Sequence, residues 1–295
     1  LVKDEFGAWT TKAVTVRIDG INDAPYLLDP TDISGTVTES GTGYTTTTSP
    51  TLHGNTVVQS SANVNNATVT GTNTIIGKFH VADDDSALAT TKPFSLDATG
   101  SVVGTDGDGW ATYKTDYGYF HLNTTTGDYK FVLDNTLSAV QALQQDTTKT
   151  VTIPIAVTDA FGAKLTFNYS LNVQGTNDQP VLTLSTTALA VTDGVASTYS
   201  PSGSVTSVVD PDTGDSKTFG IVANTVQVTD TTTPTLGTST TGLYGTFTVN
   251  AKTGAYQYKL ADNLAAVTKL DEGETLTEKF QVAVRDSKGA FDVKT

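Results

Sequence analysis

The chain repeats itself, and the repeat restricts the fold more than any single motif does. Tyr117-Gly118-Tyr119-Phe120-His121-Leu122-Asn123 recurs as Tyr244-Gly245-Thr246-Phe247-Thr248-Val249-Asn250, an offset of 127 residues. The same offset carries Thr126-Gly127-Asp128-Tyr129-Lys130-Phe131 onto Thr253-Gly254-Ala255-Tyr256-Gln257-Tyr258, Asp83 onto Asp210, and Asp159 onto Asp286. A second offset, 155 residues, joins Asp4-Glu5-Phe6-Gly7-Ala8 to Asp159-Ala160-Phe161-Gly162-Ala163. It also joins Gly20-Ile21-Asn22-Asp23-Ala24-Pro25 to Gly175-Thr176-Asn177-Asp178-Gln179-Pro180. A period above a hundred residues is the size of a whole domain.

The repeat divides the 295 residues into three parts. Residues 1–24 are expected to be the terminal strand of a preceding repeat. Residues 25–179 form a complete repeat with an insertion at about 41–74, rich in Thr and Asn. Residues 180–295 form a second repeat that lacks its last strand. The chain begins in mid-pattern at Leu1-Val2-Lys3-Asp4, so it is expected to be an excised fragment.

Within each repeat the local signals are those of strands and turns. Ala13–Ile18, Val151–Val157 and Phe280–Val284 alternate with period two, the pattern of a half-buried strand. Asn123–Thr126 before Gly127, and Asn250–Thr253 before Gly254, read as hairpin turns. Leu137–Leu143 and Leu264–Leu270 are helix-like, each a single turn crossing between sheets. The expected fold is therefore all-β: tandem Greek-key β-sandwiches of cadherin or immunoglobulin type.

Acidic residues recur at fixed points of this frame. One group is the Asp-x-x-Gly turn, at Asp4, Asp159 and Asp286. Another is the Asn-Asp pair before a proline, at Asn22-Asp23 and Asn177-Asp178. A third is an acid soon after that proline, Glu39 and Asp193. The last is an Asp-rich loop, with Asp83 and Asp85 in one repeat and Asp210, Asp212 and Asp215 in the other. Asp-x-Asp on an extended chain points two carboxylates the same way, and like charges stacked without a cation are costly. Ca2+ takes six to eight such oxygen ligands, so these fourteen residues are the candidate metal ligands. At the 127-residue offset Asp215 faces Leu88, unless a gap moves Ser86 into its place.

Net charge is −14, with 31 acidic against 17 basic residues. So acidic a surface repels nucleic acid and anionic membrane. No cysteine is present, which excludes disulfides and thiolate sites. No apolar run approaches the length of a membrane-spanning helix. His53, His80 and His121 are far apart, and no nucleophile is paired with a base, so no enzyme is expected. Asp106-Gly107-Asp108-Gly109-Trp110 opens like an EF-hand loop but has Tyr117 where the twelfth-position acid belongs, and reads as a hairpin turn.

Val157-Thr158-Asp159-x-x-Gly162, Gly175-Thr176-Asn177-Asp178-x-Pro180 and Tyr244-Gly245-x-Phe247-x-Val249-Asn250 with Thr253-Gly254-x-Tyr256-x-Tyr258 resemble the VCBS and cadherin-like repeats of very large RTX-type bacterial adhesins. The resemblance covers nearly the whole chain except the insertion. It implies an extracellular, calcium-dependent sandwich at the bacterial cell surface, exported by type I secretion and serving adhesion and biofilm formation. Asn22, Asp23, Asn177 and Asp178 resemble linker ligands of such modules. The implied role is a calcium-rigidified extender, monomeric, whose partners are neighbouring repeats. The alternative is a module that binds a surface glycan or protein through the 41–74 insertion.

Overall fold

The computed structural model describes residues 2–39, 74–97, 102–105, 109–194, 200–222 and 235–295. Nearly all of the expected insertion lies outside them, as do residues 106–108 of the EF-hand-like stretch and His53.

The first sandwich is two sheets closed on one core. Thr74–Lys78, Asp128–Leu133, Gly118–Asn123, Trp110–Thr115 and Val102–Thr105 make one sheet, in that order and all antiparallel. The facing sheet runs Ser34–Thr38, Lys164–Gln174, Thr148–Thr158, Phe94–Leu96. Its spine is a hairpin in register from Thr148 opposite Gln174 to Thr158 opposite Lys164. Ser34–Thr38 adds to it in parallel, along Ser170–Gln174. Alternation puts Phe120, Leu122, Phe131 and Leu133 of one sheet against Ile153, Ile155, Tyr169 and Leu171 of the other, all buried.

The second sandwich repeats the plan. Ser202–Gly203, Tyr256–Leu260, Gly245–Val249 and Ser239–Thr241 form one sheet. Leu236–Gly237, Thr218–Val222, Gln281–Arg285 and Phe291–Lys294 form the other. Phe247, Val249, Tyr256 and Val282 lie in the core between them. Both sandwiches use Greek-key connections. The chain passes from one sheet to the other through Ser138–Gln141 in the first and Ala265–Thr268 in the second. Each of these single helical turns follows an extended leucine, Leu137 or Leu264, as the sequence leads one to expect.

The expected hairpin turns are present and nearly superimposable in their bonding. Asn123 Oδ1 accepts from the amides of Thr125 and Thr126, each at 3.0 Å. Asn250 Oδ1 accepts from Lys252 and Thr253 at 2.9 and 3.0 Å. Gly127 and Gly254 close the turns at φ +75° and +67°, a region costly for residues with a Cβ.

One expected strand is absent. Ala13–Ile18 has the alternation but no strand structure, and Val14, Val16 and Ile18 stand in solvent. Its counterpart in the first sandwich, Asn168–Val173, lies between Thr148–Thr158 and Ser34–Thr38. A strand exists only by pairing, and no such neighbours stand beside 13–18 among the described residues. Among the described residues before Pro25, only Val2–Lys3 and Trp9–Thr10 pair.

Gly127 gives a direct test of the turn. A Cβ there would lie 2.5 Å from the Phe94 ring, at a positive φ. Gly127→Ala is expected to cost the first sandwich about 1–3 kcal/mol, read as a lower denaturant midpoint for its unfolding transition. An unchanged midpoint would contradict the turn geometry.

Candidate cation sites at the sandwich edges

The site is assembled from the Asp-x-x-Gly turn outward. Asp159 Oδ1 accepts from the amides of Phe161 and Ala163 at 2.9 and 2.8 Å. Asp286 Oδ1 does the same for Lys288, Gly289 and Ala290 at 2.9, 2.6 and 2.9 Å. One oxygen thus shapes the turn and the other is left for the Asn-Asp-x-Pro linker. Asn22 Nδ2 donates to Asp159 Oδ2 at 2.6 Å, and Asn177 Nδ2 to Asp286 Oδ2 at 3.0 Å. Asp4 forms the equivalent turn with Phe6 and Ala8 at 3.0 and 2.7 Å, but it is exposed and the structure brings it to no other candidate ligand.

The Asp-rich loop meets the same linker. Asp23 N donates to Asp85 Oδ2 at 2.9 Å, and Asp178 N to Asp212 Oδ2 at 2.7 Å. Asp83 and Asp210 hold those loops by accepting from Asp85 N at 3.2 Å and Asp212 N at 3.1 Å. Ser86, not Leu88, takes the place of Asp215: its Oγ donates to Asp159 Oδ2 at 3.3 Å. Leu88 instead packs against the core. In the second loop Ser287 Oγ donates to Asp215. The two edges therefore share one wiring, with a hydroxyl in the first where the second has a carboxylate.

The second edge is the more complete. Carboxylate oxygens of Asp210, Asp215 and Asp286 all lie within 4.8 Å of one another. Glu39, at the end of Ser34–Thr38 in the first sandwich, reaches the linker. Its Oε2 accepts from Thr176 N at 3.3 Å and its Oε1 from Gln141 Nε2 at 3.2 Å. Glu39, Asp178, Asp212 and Asp286 are each at most 4% exposed. Burial pushes the Glu39 carboxyl up to about 8, with the charges of Asp178 and Asp212 adding to it against the Thr176 amide. Burial lifts Asp212 to about 6 against the Asp178 amide, with the charges of Asp178, Asp210 and Asp215 adding to the rise. Asp159 goes the other way: burial would raise it, but the Asn22 amide and the turn amides hold it below the usual range.

Lys217 sets one ammonium against these acids. Its Nζ lies 3.3 Å from Asp210 Oδ2 and donates to the Asp215 carbonyl at 3.2 Å. Several buried acceptors still lack a donor: Asn177 Oδ1, Asp212 Oδ1 and Asp215 Oδ2 here, and Asp83 Oδ2 at the first edge. Buried acceptors without donors are uncommon. A donor set of oxygens alone, partly unsatisfied and strongly negative, has the chemistry to hold a hard divalent cation.

Asp193, the counterpart of Glu39, joins no cluster of candidate metal ligands among the described residues. It lies on the wall of a cleft in the second sandwich. Sequence reading missed Gln141, Thr176 and Lys217. Lys217 is signalled by its place beside Asp215, but Gln141 and Thr176 meet Glu39 only through the fold.

No family model matches the chain, and no curated protein does. Solved structures that it resembles include human CDH23 EC21-23, with 12% identity over 92% of this chain and 63% of that one, at a TM-score of 0.39. The human desmocollin-1 ectodomain matches with 12% identity over 94% of this chain and 36% of its own length, at 0.30. Mouse cadherin-23 EC22-24 matches with 13% identity over 75% and 71%, at 0.32. The chain thus spans about a third of the desmocollin structure and under two thirds of the human CDH23 one. Likeness this loose carries no inference; the sandwich assignment rests on the strand pairing above.

The raised carboxyls predict an inverted pH dependence without metal. Between about pH 4.5 and 8 the folded chain keeps a proton on Glu39 that the unfolded chain releases. The folded state then binds more protons, so stability falls as pH rises through this window. Asp212 adds the same sign between about pH 4 and 6. Thermal unfolding in chelator should show melting temperature declining from pH 5 to 8, with a shallower decline in Glu39→Gln. A rising melting temperature would contradict the geometry.

Proposed function

We propose that this chain is a segment of an extracellular adhesin in which Ca2+ stiffens the joint between successive sandwiches. The domain reading is three-part: residues 1–24 as the terminal strand of a preceding repeat, 25–179 as one module, 180–295 as the next. The observation that carries the proposal is the convergence on one joint of side-chain oxygen ligands from three sources. Glu39 comes from the first sandwich, Asn177 and Asp178 from the linker, and Asp210, Asp212, Asp215 and Asp286 from the second sandwich.

These residues would hold the ion, with the donor-free oxygens of Asn177, Asp212 and Asp215 as its natural ligands. Bound there, Ca2+ supplies the positive charge that the buried acids lack. Groups from both modules would then share one ion, and the linker would lose its freedom to bend. Asn22, Asp23, Asp83, Asp85 and Asp159 form the equivalent half-site at the first edge, to be completed by an acid of the Glu39 type. Asp193 is that acid for a following module. Such a segment does no chemistry; it sets distance and direction. The motif resemblance to RTX-type adhesins supports placing it at a bacterial surface, after type I secretion, in adhesion and biofilm formation. Among the described residues no helix is long and apolar enough to cross a membrane. The alternative, glycan or protein binding through residues 41–74, falls almost wholly outside the described residues.

Chelation is expected to lower the melting temperature by several degrees and to shorten the maximum dimension in small-angle scattering. Calcium should restore both, and Asp212→Asn should blunt the response. Identical profiles with and without chelator would rule the mechanism out.

A further inference from the structure

The two edges differ at one charge as well as at one hydroxyl. Strand pairing fixes how their loops correspond. Phe94 pairs with Val157 and Phe219 with Val284, and those valines are themselves 127 residues apart. Two residues before each phenylalanine stands a lysine, Lys92 or Lys217. The positions match, but the surroundings do not. Lys92 is exposed, on a backbone at φ +49°. Lys217 is turned inward, with its side chain 24% exposed and its Nζ 3.3 Å from Oδ2 of Asp210, whose own side chain is wholly buried. The same ammonium donates to the Asp215 carbonyl at 3.2 Å, which ties it to its own loop.

Lys217 thus stands against the group in which oxygens of Asp210, Asp215 and Asp286 converge within 4.8 Å. The other lysine of this edge, Lys288, lies instead 3.9 Å from Asp146 Oδ2 of the first sandwich. The inward ammonium arrives together with an extra acid, since Asp215 fills the place that Ser86 takes at the first edge. One ammonium offsets part of the charge of buried carboxylates. It leaves the rest unmet, because Asp212 Oδ1 and Asp215 Oδ2 are buried without a donor. A lysine head is a hydrated point charge on a flexible stem, so it can move out to water while the backbone stays in place.

We propose that Lys217 is a tethered counterion of the second edge, standing in for the divalent cation when none is bound and competing with it when one is. It rests on the calcium reading above and adds the residue that sets the affinity. The two effects have opposite sign. Without metal, Lys217 stabilises the buried acids. With metal, its charge opposes a second cation among the same carboxylates, so binding is weaker than the oxygen ligands alone would give. The second edge therefore holds together at low calcium and releases the ion more readily.

Lys217→Met in the 295-residue chain tests this, because it keeps the apolar stem and removes the charge. Lys92→Met makes the same change in net charge at the matching, exposed position. Calcium titration by calorimetry and thermal melting in chelator and in excess calcium supply the readouts. Lys217→Met is expected to bind calcium at least about tenfold tighter. It should melt several degrees lower than the native chain in chelator, and no lower in excess calcium. Lys217→Gln, which can still donate to the Asp215 carbonyl, should show the same gain, and Lys92→Met should show neither change. A lysine that serves only as a structural ion pair would lower both melting temperatures without tightening binding, and that result overturns the proposal. So does an equal gain in Lys92→Met. If native chain and variants bind calcium alike, the counterion role fails and the calcium reading stands. If none of them responds to calcium, both fail.

Discussion

Like charge gathered out of water is the constraint on which the joint between the sandwiches depends. Glu39, Asp178, Asp210, Asp212, Asp215 and Asp286 meet around one linker, and four of them are almost wholly buried. Carboxylates so placed must take up protons, find donors or bind a cation. The protein does some of each. Asp286 spends one oxygen on its own turn amides, Lys217 approaches Asp210, and the raised carboxyls of Glu39 and Asp212 register the remaining imbalance. A divalent cation would remove that imbalance at a stroke. It would also tie Glu39 of one module to the Asp loops of the next, because the charges it neutralises belong to both.

The two edges share their bonding and differ in burial. At the first edge Asn22 and Asp23 make the same bonds to Asp159 and Asp85 that Asn177 and Asp178 make to Asp286 and Asp212. No acid like Glu39 stands there among the described residues, and Asp23 is exposed where Asp178 is buried. The local wiring is thus the same at both edges, whereas the burial that makes the charges costly is seen where Glu39 of the first sandwich reaches the linker.

Much of the fold is legible in the sequence because its signals are local. Gly127 and Gly254 mark the hairpins, a leucine-led turn marks each crossing, and alternation marks Val151–Val157 as a core strand. The candidate ligands are legible for the same reason: Asp, Asn and Gly recur in register. What is not legible depends on partners distant in the chain. Ala13–Ile18 carries the right alternation, but a strand also needs neighbours to pair with, and periodicity does not supply them. Gln141 becomes a neighbour of Glu39 only when the single helical turn docks beside Ser34–Thr38. The choice between Ser86 and Leu88 is a matter of loop geometry, which an offset count cannot see.

The most direct measurement of the central claim is a crystal structure of the chain grown with calcium, using anomalous scattering to identify the ion. The prediction is a peak at the joint with oxygens of Glu39, Asp178, Asp212 and Asp286 among its ligands, at distances of about 2.3–2.6 Å. A joint in which these oxygens are satisfied by water, protons and Lys217 alone, with calcium present in the crystal, would contradict it.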